Sequence, residues 1–169
     1  MTYAFPVYNV FNGLKLSEEV LLDSDAFVFD KETGKYRSNY IYISETDAQT
    51  TEFKRKATYE YDRCLRYSLG IGCDGRDWHD VLAAMVGFDR SGNVEPSEET
   101  PFGELLHPNI QFTTFGSKAA AKLVRDFAEW EERAKEFSDP EFYLAYWWLS
   151  CCFGHAARNG AVQMNWVEA

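Results

Sequence analysis

The sequence predicts an α+β fold, a single domain over residues 1–169 in which a mostly antiparallel sheet packs against a C-terminal helical hairpin. Three observations lead there. The chain has 169 residues, the usual length of one domain and enough to bury a core without metal or disulfide staples. Aromatic and β-branched residues crowd the opening third, whereas steps of three and four govern the middle and end. The order of elements, strands first and then helices with two further strands, lacks the strict alternation of a doubly wound parallel sheet.

Tyr3 to Phe11 reads as a first strand that Asn12-Gly13 turns. Ser17-Glu18-Glu19 suits the start of one helical turn. Ala26–Phe29 and Tyr40–Ile43 flank the polar run Asp30-Lys31-Glu32-Thr33-Gly34-Lys35, the pattern of a hairpin. Phe53, Ala57, Tyr61, Cys64, Leu65 and Ser68 then recur at steps of three and four, which predicts a helix over about 51–69. A second helix starts at Asp77 as N-cap, carries Trp78, Val81, Leu82 and Met85 on one face, and stops at Gly87.

From Phe88 to Leu106 the turn Ser91-Gly92-Asn93, two prolines and four glutamates predict a solvated connection. Ile110, Phe112 and Thr114 alternate as a short strand. Ser117 then caps a helix with Leu123, Phe127, Trp130, Ala134 and Phe137 on one face. Ser138 or Asp139 caps the next, with Pro140 in its first turn, where the missing N–H costs nothing. Phe142 to Phe153 is apolar nearly all round, which predicts burial on more than one side, and Asn159-Gly160 ends that helix. Val162, Met164 and Trp166 form one face of a closing strand.

Charge excludes more than it assigns. Seventeen basic against 27 acidic side chains give a net −10, a surface that repels phosphate and disfavours direct nucleic-acid binding. The acid is uneven: residues 1–50 carry −4, 51–94 are neutral, and 95–169 carry −6. Lys54-Arg55-Lys56, Arg63 and Arg66 make a modest basic patch that the acidic flanks of the same molecule can neutralise. The N-terminal residues show no basic region followed by an apolar run, and no stretch reaches the roughly 20 apolar residues of a transmembrane helix, so the expected location is the cytoplasm and no membrane contact is expected. Cys64, Cys73, Cys151 and Cys152 are then expected to be reduced.

Candidate chemistry is sparse. Cys73 lies in the loop Gly70-Ile71-Gly72-Cys73-Asp74-Gly75, just before a helix N-terminus that can lower a thiol pKa, and His79 is a nearby base. Asp74 and Asp77 act in the opposite direction, no local signature of a thiol enzyme surrounds the cysteine, and a packing or surface role is the favoured reading. Cys151 and His155 stand four apart on one helix face, a start for a metal site, but no Cys-x-x-Cys or His-x-x-x-His pair joins them. No nucleotide-binding glycine motif occurs, and no cofactor is expected.

The expected function is therefore that of a non-catalytic acidic protein that neutralises or inhibits a basic protein partner, in the manner of a bacterial toxin-immunity protein. Such a partner, a toxin or a nucleic-acid-handling enzyme, presents a basic cleft that carboxylates can fill. The expected contacts are Glu95, Glu98, Glu99 and Glu104 in the loop and Glu129, Glu132 and Glu136 on the acidic helix, where Glu132 and Glu136 form a like-charge pair four apart. Two alternatives stand beside it. One is a thiol-dependent enzyme or small-ligand binder at the Gly70–Gly75 loop, and the other a structural subunit of a bacterial or phage assembly, for which a homodimer is one form.

Overall fold

The computed structural model describes residues 4–16, 28–30, 35–37, 40–44, 47, 52–68, 77–92, 94–107 and 113–168. It is an α+β fold with antiparallel pairing throughout the described strands. In chain order the strands are β1 (Ala4–Asn12), β2 (Lys15–Leu16), β3 (Val28–Asp30), β4 (Lys35–Arg37), β5 (Tyr40–Tyr42), β6 (Thr58–Glu60), β7 (Arg63–Ser68), β8 (Thr113–Phe115) and β9 (Gly160–Glu168). The helices are α1 (Trp78–Val86), α2 (Gly103–Leu106), α3 (Ser117–Glu129), α4 (Glu131–Phe137) and α5 (Pro140–Ala156).

The main sheet has the order β7-β1-β9-β8. At its centre β1 and β9 run antiparallel from Ala4↔Glu168 to Asn12↔Gly160. Pro6 lies beyond the reach of β7, whose pairing with β1 begins at Val7↔Ser68, so its missing N–H falls where β1 has a described neighbour on one side only. Alternation along β1 splits its side chains between two cores. Tyr8 and Val10 join the larger one, with Trp78, Leu82, Leu105, Leu123, Phe127, Phe142, Tyr146, Phe153 and Val162. Phe11, on the opposite face, packs with Ile41, Ile43 and Ala161.

Over its described residues, 52–68, the stretch expected as a helix at 51–69 is not one. It forms β6 and β7, with β7 laid along β1 and β6 between β2 and β5. Residues four apart share a face of a helix and also of a strand, so Ala57, Tyr61 and Leu65 fit either period, while Thr58, Tyr59, Tyr61 and Tyr67 favour the pleated form. The expected hairpin is also re-paired. Val28–Asp30 pairs with Lys35–Arg37, and Tyr40–Tyr42 pairs instead with Thr58–Glu60. The turn expected at Ser17 lies outside the described residues, as do Ile110 and Phe112, whereas Thr114 belongs to β8.

The 88–106 connection is only half as solvated as its composition suggests. Arg90–Gly92 is a 3₁₀ turn, and Phe102, Leu105 and Leu106 are fully buried. Lys122 holds that segment down, with Nζ 2.9 Å from the Thr100 carbonyl, 3.0 Å from Glu104 and 2.7 Å from Asp126. The Asp126 carboxylate also accepts the Phe102 N–H at 3.0 Å. The helix expected over 117–137 is in fact α3 and α4, separated at Trp130. Gly116 rather than Ser117 precedes α3, and the Glu52 carboxylate supplies the cap by accepting the N–H groups of Lys118 and Ala119 at 2.8 and 3.2 Å. A Cβ on Gly116 would lie 2.4 Å from that carboxylate.

Other helix ends follow the expected chemistry. Asp77 caps α1 by accepting the His79 N–H at 2.9 Å, and Gly87 closes it in the left-handed conformation at φ +76°. Asp139 caps α5 by accepting the Phe142 N–H at 3.0 Å, with Pro140 in the first turn. α5 departs from the expectation at its other end: it stops at Ala156, before Asn159-Gly160, and Asn159, at φ +58°, leads instead into β9 at Gly160, where a Cβ would lie 2.5 Å from the Phe11 carbonyl oxygen.

Candidate functional site

Two polar or exposed features stand out on this scaffold, one buried and one at the surface. The buried one links β1 to α1. Asp77 Oδ1 lies 3.0 Å from His79 Nδ1, and His79 Nε2 lies 2.6 Å from the Tyr8 hydroxyl. An ionised carboxylate only accepts, so Nδ1 carries the proton, and in the neutral ring Nε2 accepts from Tyr8. Burial alone would raise the Asp77 carboxyl, but the hydrogen bonds from His79 and the Arg90 guanidinium 3.7 Å away hold its pKa down at about 2. Burial, reinforced by the Asp77 charge, raises the Tyr8 phenol well above its ordinary value. Tyr8 and His79 are fully buried, so this Asp–His–Tyr chain reads as a satisfied core network.

His79 was a candidate base for Cys73. The structure turns its ring into the core toward Tyr8, and the Gly70–Gly75 loop with Cys73 lies outside the described residues. Cys151 is half-buried and His155 exposed, and no cluster of three or more metal-ligating side chains forms among the described residues. Burial beside Cys151 pushes the Cys152 thiol up to about 12, while Cys64 is exposed on β7.

The acidic candidates occupy two settings. Glu129, Glu132 and Glu136 are exposed on the α3–α4 arm; Glu132 meets Lys135 at 3.1 Å, and among the described residues no ion pair holds Glu129 or Glu136. Glu95, Glu98 and Glu99 are exposed in the connection before α2, with Glu95 3.6 Å from His107. Glu104 differs, because Lys122 neutralises it. Glu98 and Glu104 both line a groove of about 470 Å³ at the start of α3, beside Lys118 and Lys122.

A surface feature absent from the sequence expectations lies on α5. Leu144, Trp147 and Trp148 are 57, 45 and 43% exposed, so this helix is not buried all round. Its buried arc is Phe142, Ala145, Tyr146, Leu149, Cys152, Phe153 and Ala156, the residues that face the sheet, α3 and α4. The signal for exposure was present in the chain. A helix covered by one sheet and two helices on one side retains an open arc, and the unbroken apolar run from Phe142 to Leu149 must place apolar side chains on it.

Among the described residues no helix is long and apolar enough to cross a membrane. Comparison with protein-family models, with curated proteins and with solved structures finds no match to this chain.

Proposed function

We propose that this chain is a non-catalytic acidic binding protein that neutralises a basic protein partner, as an inhibitor or immunity protein does. The observation that carries the reading is the exposed acid of the α3–α4 arm. Glu132 has 88% of its side chain in solvent, and Glu129 and Glu136 flank it without a described cation. Glu132 shares its charge with Lys135, and exposed carboxylates such as Glu129 and Glu136 on a −10 molecule steer a cationic surface and raise its association rate. Glu95, Glu98 and Glu99 add a second acidic surface of the same kind.

The test is affinity capture from the native host with the wild-type chain beside a Glu129/Glu132/Glu136→Gln variant. The expected result is a basic protein retained at low salt, released at high salt and lost from the variant. Its association rate should fall more than its dissociation rate rises. Retention of nothing beyond what the variant retains overturns the reading.

A further inference from the structure

The exposed arc of α5 belongs to a larger strip with a graded chemistry. Helical spacing places Glu141, Leu144 and Trp148 in one row and Tyr143 and Trp147 in the next. At one end α4 reaches the second row, where the Tyr143 hydroxyl donates to Glu131 at 3.1 Å. At the other end Trp148 stacks on Tyr67 of β7 with centroids 5.7 Å apart and planes at 21°. Leu65, two residues back on the same face of β7, is 53% exposed. The strip is acidic at Glu131 and Glu141, aromatic at its middle and aliphatic at Leu65.

Its aromatic neighbours already hold cations. Arg133 lies over the Phe137 ring at 4.8 Å and Lys135 over the Tyr143 ring at 5.9 Å. Indole is a better ring for this contact than phenyl or phenol. Trp147 and Trp148 stand edge to face, 5.0 Å apart at 75°, and among the described residues no cation covers either.

We infer that this strip is the seat of the basic partner, and that the partner's contact surface combines arginine with apolar side chains. This rests on the function proposed above. A guanidinium stacks on Trp147 or Trp148 with Glu141 and Glu131 at the margin, and an apolar side chain reaches Leu144 and Leu65. Exposed tryptophans with carboxylates at one end and apolar side chains at the other suit an interface centre that meets a partially charged rim. A second copy fits less well, because each copy brings −10 and the same acidic margin.

The probe is a short fluorescent peptide alternating Arg and Leu, compared with its Lys-for-Arg counterpart, binding followed by anisotropy and tryptophan quenching. The expected result is about a tenfold loss of affinity in Trp147→Ala/Trp148→Ala and a loss in the same direction in Leu144→Arg, with the Lys peptide weaker than the Arg peptide. Both variants replace exposed side chains, and circular dichroism checks that they fold. Unchanged affinity in both variants overturns the inference. So does a concentration-dependent doubling of mass that the double variant abolishes, since the occupant is then a second copy. If the captured partner is lost from the glutamate variant yet kept by the tryptophan variant, the function stands and this seat falls. If the peptide binds through the tryptophans but no basic protein is captured, the strip stands and the function falls.

Discussion

The Tyr8 hydroxyl and His79 Nε2 are hydrogen-bonded at 2.6 Å, joining the central strand β1 to the second residue of α1 inside the core. Beyond it the ring is held by Asp77, the cap of the same helix, so one side chain serves both the helix end and the core network.

Removing the hydroxyl isolates the imidazole. Tyr8→Phe leaves Nε2 buried without its partner, and the expected cost is about 1–3 kcal/mol of unfolding free energy, measured by urea denaturation. A midpoint unchanged from wild type would show that the bond contributes nothing.

Asp77 makes this network sensitive to acid. Its folded pKa of about 2 lies below the ordinary 3.8, so its contribution is present above about pH 4 and is lost as pH falls toward 2. The size is roughly 2 kcal/mol, at 1.4 kcal/mol per pKa unit. Asp77→Asn keeps an oxygen able to cap α1 but removes the titration. Stability measured from pH 5 to pH 2 should therefore decline less steeply in that variant, and parallel curves contradict the assignment.

Two glycines give opposite expectations for the same substitution. A Cβ at Gly160 meets the Phe11 carbonyl at 2.5 Å and the Ala156 Cα at 2.8 Å, so Gly160→Ala should destabilise by about 2 kcal/mol or more. A Cβ at Gly154 meets nothing within 4 Å, and inside α5 Gly154→Ala should stabilise by about 0.5–1 kcal/mol. Thermal unfolding of the pair reads both signs at once.

The thiols should separate cleanly by accessibility. Exposed Cys64 should react with a thiol reagent in the folded protein, whereas Cys152, buried and with its pKa pushed up to about 12, should label only on unfolding. Peptide mapping by mass spectrometry assigns the labelled sites. Comparable folded-state rates at the two positions would contradict this placement.

Capping and periodicity made much of the fold legible. Asp77, Gly87, Asp139 and Pro140 stand where local chemistry places them, because each satisfies or omits a backbone group of its own helix. What local patterns could not carry was the choice of partner. The 51–69 segment fits two periods, and β1 decides between them by offering β7 a strand to pair with. Glu52 accepts the N–H of Lys118, sixty-six residues later, to cap α3, a tie that no local spacing announces. The acidic candidates were legible as charges but not as free or neutralised ones, since Lys122 claims Glu104 and not its neighbours. The tryptophan strip was hidden by its own composition, which reads as core whichever way the helix is turned.

The pairing of β1 with β9 sets an order of events for the molecule. During synthesis β1 is complete long before β9, its longest-paired neighbour, exists, so the β9 side of Tyr8, Val10 and Phe11 stays open until the chain is almost finished. Closing the sheet means joining residues separated by almost the whole chain, which makes folding slow for a domain of this size. A C-terminal cut at Gly160 would therefore excise the middle of the main sheet rather than trim its rim, and would separate β8 from β1 and β7. A nascent chain stalled before β9 leaves β1 without its neighbour on one side and β8 without its own, the stage at which a chaperone has most to cover.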